Sequence, residues 1–173
     1  MIRKALENEI QAVACIYDNI HDRTDSAAGK TGWIKGIYPT YDTARKAFLQ
    51  DELFVLENDS GKIVAAARIN QSQEPSYKQA NWLFDASDEK VMVLHTLVVD
   101  PKESGRGYGR EFIAFYEDYA RANGAEVLRM DTNEINTPAR MLYKRLGYRE
   151  AGIIPCDFNG LRNIMLVCLE KKL

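Results

Sequence analysis

A single mixed α/β domain, with six or seven strands in a mostly antiparallel sheet and about four helices, is predicted by three observations. Strand-like apolar runs and helical stripes alternate through the middle of the chain, between residues 91 and 148. Turn signals at 58–61 and 157–160 join short apolar runs on either side into antiparallel hairpins. No repeat, low-complexity tract or Pro/Ser-rich linker divides the 173 residues, a length that suits one core.

Each element follows from local pattern. Residues 2–5 read as an opening strand, and Ile10, Val13, Ala14, Tyr17 and Ile20 recur at helical spacing. A polar, irregular segment occupies 21–30. Pro39 and Thr40 mark a helix start, with Ala44, Ala47 and Phe48 as its stripe; runs at 53–56 and 63–69 then flank the turn Asn58-Asp59-Ser60-Gly61. In the polar stretch 71–90, Trp82-Leu83-Phe84 predict an insertion held by aromatic burial. Residues 91–99 are almost continuously apolar, as for a strand covered on both faces, and stop at Asp100-Pro101. Phe112, Ile113, Tyr116, Tyr119 and Ala120 form one face of a helix ending at Asn123-Gly124, and 126–130 give the next strand. Thr137-Pro138 reads as an N-cap and first helical residue, leading into the stripe Ala139, Leu142, Tyr143 and Leu146, which ends at Gly147. Strands at 148–154 and 161–169 close the chain.

Bulk properties exclude several functions. With 23 Lys plus Arg against 25 Asp plus Glu, the net charge of -2 offers no basic stripe, so neither nucleic acid nor a membrane surface is expected as partner. No stretch approaches the roughly 20 apolar residues of a membrane helix, and the start meets Glu7 and Glu9 instead of a signal core, which predicts a cytoplasmic protein. Cys15, Cys156 and Cys168 are odd in number and widely spaced, fitting neither a disulfide framework nor a metal site, so no metal is expected. The acidic clusters Asp22/Asp25 and Asp85/Asp88/Glu89 read as solvated surface.

The most informative segment is 98–110, which puts three glycines between a buried strand and a helix. Such a turn exposes backbone N–H groups beside the positive end of the helix dipole, a seat for phosphate, and Arg106 and Arg110 stand ready to add charge. Two rival phosphate motifs fail by counting. A dinucleotide fingerprint from Gly105 meets Arg110 where it needs glycine or alanine, and one from Gly107 meets Phe112. A P-loop at Gly29-Lys30-Thr31 has Thr24 where its first glycine belongs.

Here the chain resembles the GCN5-related N-acetyltransferases, whose phosphate loop reads Gln/Arg-x-x-Gly-x-Gly/Ala after a strand ending in Val-Asp-Pro. The loop in this chain is Ser104-Gly105-Arg106-Gly107-Tyr108-Gly109, with Ser104 in place of Gln or Arg. The family's second element, Asn-x-x-Ala followed by Leu-Tyr-x-x-x-Gly-Tyr/Phe, is present as Asn136 to Ala139 and Leu142 to Tyr148. The resemblance implies a splayed mixed sheet and a coenzyme A-dependent acyltransferase that moves acetyl or a similar group from acetyl-CoA to an amine by direct attack. It further implies that Ser104, Gly105, Arg106, Gly107, Tyr108, Gly109 and Arg110 cradle the diphosphate. Leu97, Val98 and Val99 would pair with the pantetheine arm, Asn136 would hold it, and Tyr143 would protonate the leaving thiolate.

For the base, His95 is the first choice. It stands two residues before Leu97, hence on the same face of a regular strand, and an imidazole titrates near neutrality. Asp131, Glu134 or a water chain are second choices. Trp33, Tyr38, Tyr41 and Trp82 are expected to line the pocket of a small-molecule or peptide amine, since aromatic faces suit an ammonium. By spacing alone, residues of this kind are more often plain core or loop anchors. A homodimer through the terminal strands fits the pattern. The competing readings are a coenzyme A-binding module without activity and a nucleotide-binding domain.

Overall fold

The computed structural model describes residues 1–23 and 31–173; Asp25 and the Gly29-Lys30 pair lie outside the described residues. Seven strands form one sheet: β1 (Ile2–Lys4), β2 (Leu53–Glu57), β3 (Ile63–Asn70), β4 (Val91–Val99), β5 (Val127–Asn133), β6 (Arg149–Phe158) and β7 (Leu161–Lys172). Their spatial order is β1-β2-β3-β4-β5-β7-β6. Only β4 and β5 run parallel; every other neighbouring pair is antiparallel. Four helices, α1 (Ile10–His21), α2 (Tyr41–Leu49), α3 (Tyr108–Ala122) and α4 (Thr137–Arg145), match the predicted count.

Helical periodicity decides which face each helix covers. On α3, Phe112, Ile113, Tyr116 and Ala120 fall on one stripe and are all buried. That stripe packs with α4 over Phe54, Met92, Leu94, Leu128 and Met130. Truncating Phe112 to alanine there would cost about 3–5 kcal/mol. Across the sheet, α1 and α2 bury Val13, Ile16, Ala44 and Ala47 against Val55, Ala66 and Val98. The 71–90 insertion covers the rest of that second face and is held by aromatic burial as predicted: Trp82 and Phe84 pack partly buried on it, Leu83 is exposed, and the deepest anchor is Tyr77, 2% exposed against Val91, Val93 and Leu166.

Two features of β4 and β5 position the site. Their parallel pairing runs only from Val91↔Val127 to Leu94↔Met130. Beyond it β4 stays bonded to β3 as far as Val99, and β5 to β7 as far as Asn133, so each keeps its outer partner and loses its inner one. Buried at this level, the Tyr116 hydroxyl donates to the Met92 carbonyl at 2.7 Å, with the Arg129 carbonyl 3.2 Å away. The second feature is a bulge. Arg68 pairs with His95 and Ala66 with Val98, so Thr96 and Leu97 together oppose Ala67, and Thr96 takes a left-handed φ of 52°. Before the bulge, Met92 and Leu94 face α3; after it, Leu97 and Val99 do. His95 is therefore on the opposite face from Leu97, which overturns the same-face expectation.

Candidate active site

Where β4 and β5 separate, a cleft of about 610 Å³ opens. At one end lies the glycine loop. A 3-10 turn, Pro101–Glu103, is capped by Asp100, whose Oδ1 accepts from the Lys102 N–H at 3.0 Å while Oδ2 pairs with Lys62 at 3.0 Å. Burial works against ionisation of Asp100, but the Lys102 N–H and the Lys62 ammonium outweigh it and hold the carboxyl below its ordinary range. Gly105 and Gly107 follow at φ 81° and 85°, a conformation costly for residues with a Cβ. A Cβ on either would meet nothing within 4 Å, so the space over the turn is open. Residues 105–110 donate no backbone hydrogen bond among the described residues, and the first bond of α3 runs from Glu111 N–H to the Gly107 carbonyl. Six main-chain N–H groups thus have no protein acceptor among the described residues, at a helix N-terminus with open space over Gly105 and Gly107.

Side chains around this loop divide. Ser104, Arg106 and Tyr108 line the cleft, and Arg106 leans on Glu103 at 3.3 Å. Arg23, not singled out in the sequence, lines it too and donates to the Pro101 carbonyl at 2.9 Å. Arg110 is exposed and does not line it.

Leu97, Val98 and Val99 form the middle wall, along the strand edge that β5 has left. Opposite stand Asn136 and Tyr143. Asn136, not Thr137, is the N-cap of α4: its Oδ1 accepts from Ala139 N–H at 3.4 Å and its Nδ2 donates to Thr132 at 3.1 Å. The expectation that Thr137 caps and leaves Asn136 unengaged fails by one residue, because both side chains suit a cap. Tyr143 is buried on the α4 stripe, yet its ring reaches the cleft. Burial, with the nearby Asp131 charge, pushes its phenol far above the ordinary value, so the proton stays on.

At the far end the walls are aromatic. Tyr38 stacks edge-on with Trp33 at 6.0 Å and Phe158 at 5.2 Å, and its hydroxyl bonds to Thr96 at the bulge. Asp131 forms part of the lining, and its Oδ2 accepts from the Tyr77 hydroxyl at 2.7 Å. Burial pushes the Asp131 carboxyl up to about 6; the Tyr77 bond only partly opposes it. His95 also lines the cleft, but its Nε2–H is committed to Asn70 Oδ1 at 2.9 Å. Burial and the neighbouring Arg68 charge bring its pKa down to about 4. Tyr41 and Trp82 are not brought here. Tyr41 is an exposed first residue of α2, and Trp82 lies behind Tyr77, under the Arg129 guanidinium at 4.3 Å. Phe158 in the lining and Tyr77 behind Asp131 carry no local sequence signal, because only long-range packing brings them together. Among the described residues no group of His, Cys, Asp and Glu could hold a metal ion, and no helix is long and apolar enough to cross a membrane.

The sheet forks between its two parallel strands and carries a donor-rich glycine turn at the fork's mouth, the arrangement expected of an acyltransferase of the kind the sequence resembles. Residues 31–148 match the family described as Acetyltransferase (GNAT) family. The chain belongs to that family. An uncharacterized N-acetyltransferase of Methanocaldococcus jannaschii is 31% identical over 74 residues, 43% of this chain and 33% of its own length. The match thus spans about a third of that relative. A GNAT-family acetyltransferase of Streptococcus agalactiae superposes with a TM-score of 0.83 at 21% identity, covering 100% of this chain and 95% of the other. A phosphinothricin acetyltransferase of Sinorhizobium meliloti in complex with acetyl-CoA gives 0.71 at 13% identity, covering 100% and 88%.

Proposed function

We propose that the chain transfers an acyl group, acetyl in the simplest case, from its coenzyme A thioester to an amine. The observation that carries this reading is the row of N–H groups at 105–110 that, among the described residues, have no acceptor, beside the edge of β4 that β5 has left. Open space over Gly105 and Gly107 fits a diphosphate, and a bare strand edge fits an arm with alternating amides. The acetyl-CoA bound to the structurally similar Sinorhizobium meliloti protein supports the same choice of ligand. When bound, the thioester supplies an activated carbonyl and a sulfur leaving group.

The chain's own groups divide the remaining work. Backbone donors at 105–110 and the positive end of α3 hold the diphosphate, with Ser104, Arg106 and Tyr108 beside it. Leu97, Val98 and Val99 align the arm through their main chain, and Asn136 can add its second amide hydrogen. Tyr143 gives its phenolic proton to the sulfur as the C–S bond breaks. Asp131 replaces His95 as the base: poised near 6 and facing the cleft, it takes a proton from the attacking amine, directly or through water. Trp33 and Tyr38 wall the acceptor end.

Thiol release measured with a panel of amines tests the reading. Tyr143→Phe is expected to lower turnover about tenfold or more while acetyl-CoA still raises the melting temperature. Unchanged turnover would remove Tyr143 from the mechanism. Stabilisation by acetyl-CoA without amine-dependent release from any amine would leave a coenzyme-binding module instead. Ligand at about 100 times its Kd adds roughly 2.7 kcal/mol, so stabilisation by ATP or NAD in place of acetyl-CoA would be plain.

A further inference from the structure

We infer that the acceptor end of the cleft selects a cationic amine on an apolar body and rejects amines that carry an α-carboxylate. The inference rests on the transfer reading for where the acceptor sits, but its grounds are the charges and surfaces of that end. Tyr77 occupies Oδ2 of Asp131 and leaves Oδ1 without a protein donor among the described residues. Glu74, from the insertion, lies 3.8 Å from the His95 ring and adds a second acid on the same side. Against them stand Arg68 of β3, already matched by Glu52 at 2.6 Å, and Lys46 of α2, whose charge also acts on Glu74. His95 is neutral at neutral pH. Of these charged groups only Asp131 lines the cleft; with Glu52 and Glu74 behind it against Arg68 and Lys46, three acids face two cations and this end keeps a net negative charge. The cleft's other cations, Arg23 and Arg106, are at the glycine loop, at the opposite end.

Aromatic and aliphatic surface completes the pocket. Trp33, Tyr38 and Phe158 present rings, and Leu161, Ile164 and Leu166 line the wall beside them. Rings attract an ammonium over their faces and accept a hydrocarbon body, whereas a carboxylate placed there meets acids and no donor cation. The favoured acceptor is therefore an arylalkyl or aliphatic amine, in contrast to an amino acid of the same skeleton.

Paired probes test this by binding, so that the result does not depend on turnover. Phenethylamine and phenylalanine, identical but for the α-carboxylate, are titrated calorimetrically into the protein with saturating coenzyme A. Phenethylamine should bind at least about tenfold more tightly, equivalent to about 1.4 kcal/mol. Asp131→Asn should narrow that ratio, and Glu74→Gln supplies the same readout if the first variant unfolds. Equal or reversed affinities, or no saturable binding of phenethylamine, would overturn the inference. Preferential binding without any thiol release from acetyl-CoA would instead sink the transfer reading and leave the selectivity standing. Transfer to both probes with equal efficiency would do the reverse.

Discussion

The two ends of the cleft are built in different ways. Apart from Arg23, the glycine-loop end is made of consecutive residues, and the atoms proposed to work there are the main-chain N–H groups at 105–110. The aromatic end is assembled from five separate stretches, contributing Trp33 and Tyr38, Tyr77, Thr96, Asp131, and Phe158 with Leu161. Its working atoms are all side chains. A main-chain site tolerates substitution wherever the backbone angles survive, whereas a side-chain site changes with each residue. The first end suits a ligand that never varies, and the second suits one that does.

The sharpest way to break this contrast is at the loop. Gly107→Val imposes a Cβ-branched residue at φ 85° and fills the open space above the turn. Losing two charged hydrogen bonds, each worth about 1.5–3 kcal/mol, should weaken acetyl-CoA binding about a hundredfold or more, measured by calorimetry. Retained affinity would mean the donors do not hold the diphosphate. At the other end, Asp131→Asn should lower kcat/KM by about a hundredfold at neutral pH and leave acetyl-CoA affinity unchanged. Only the ionised carboxylate accepts a proton, so the wild-type pH profile should show an inflection near 6, rising with pH, that the variant lacks. An inflection that persists would assign it elsewhere.

Smaller effects sharpen the boundary between the ends. Tyr116→Phe leaves two buried carbonyls without a hydroxyl donor and should destabilise the fold by about 1–3 kcal/mol in denaturant melts. His95→Gln should change turnover by less than about threefold, since a neutral buried ring is a poor base at neutral pH. Its larger signature is in stability. Folded His95 titrates near 4 against an ordinary 6.5, so its contribution is complete above 6.5 and is lost as pH falls through about 4. Asp131, raised to about 6, acts in the opposite sense, stabilising the fold as it protonates below that value. Melting temperatures from pH 7 to 4.5 should therefore fall less in His95→Gln than in the wild type.

What could be read in the sequence follows the same division. The loop, the α3 stripe and the hairpin turns are contiguous signals, and each lies where pattern and turn chemistry place it. The α4 cap is off by one because Asn136 and Thr137 are both good capping residues and only the fold chooses between them. His95 was misplaced for a deeper reason. His-Thr-Leu-Val-Val reads as a regular strand, and nothing in its composition announces that Thr96 interrupts the alternation. Trp82 and Phe84 pack on the sheet as their aromatic signal predicts, but the deeper burial of Tyr77 depends on contacts with Val91 and Leu166 far along the chain.

The extra residue at Thr96 also works as a joint. In the proposed reading, side chains on the second face upstream of it meet the acceptor, and the main chain downstream meets the coenzyme. Past the joint the register is held by Ala65, Ala66 and the Asp100 N–H on the Val64 carbonyl, none of them in the acceptor wall, so that wall can be rebuilt by mutation without disturbing the strand edge proposed for the thioester. One enzyme of this build can thus exchange its customer and keep its supplier.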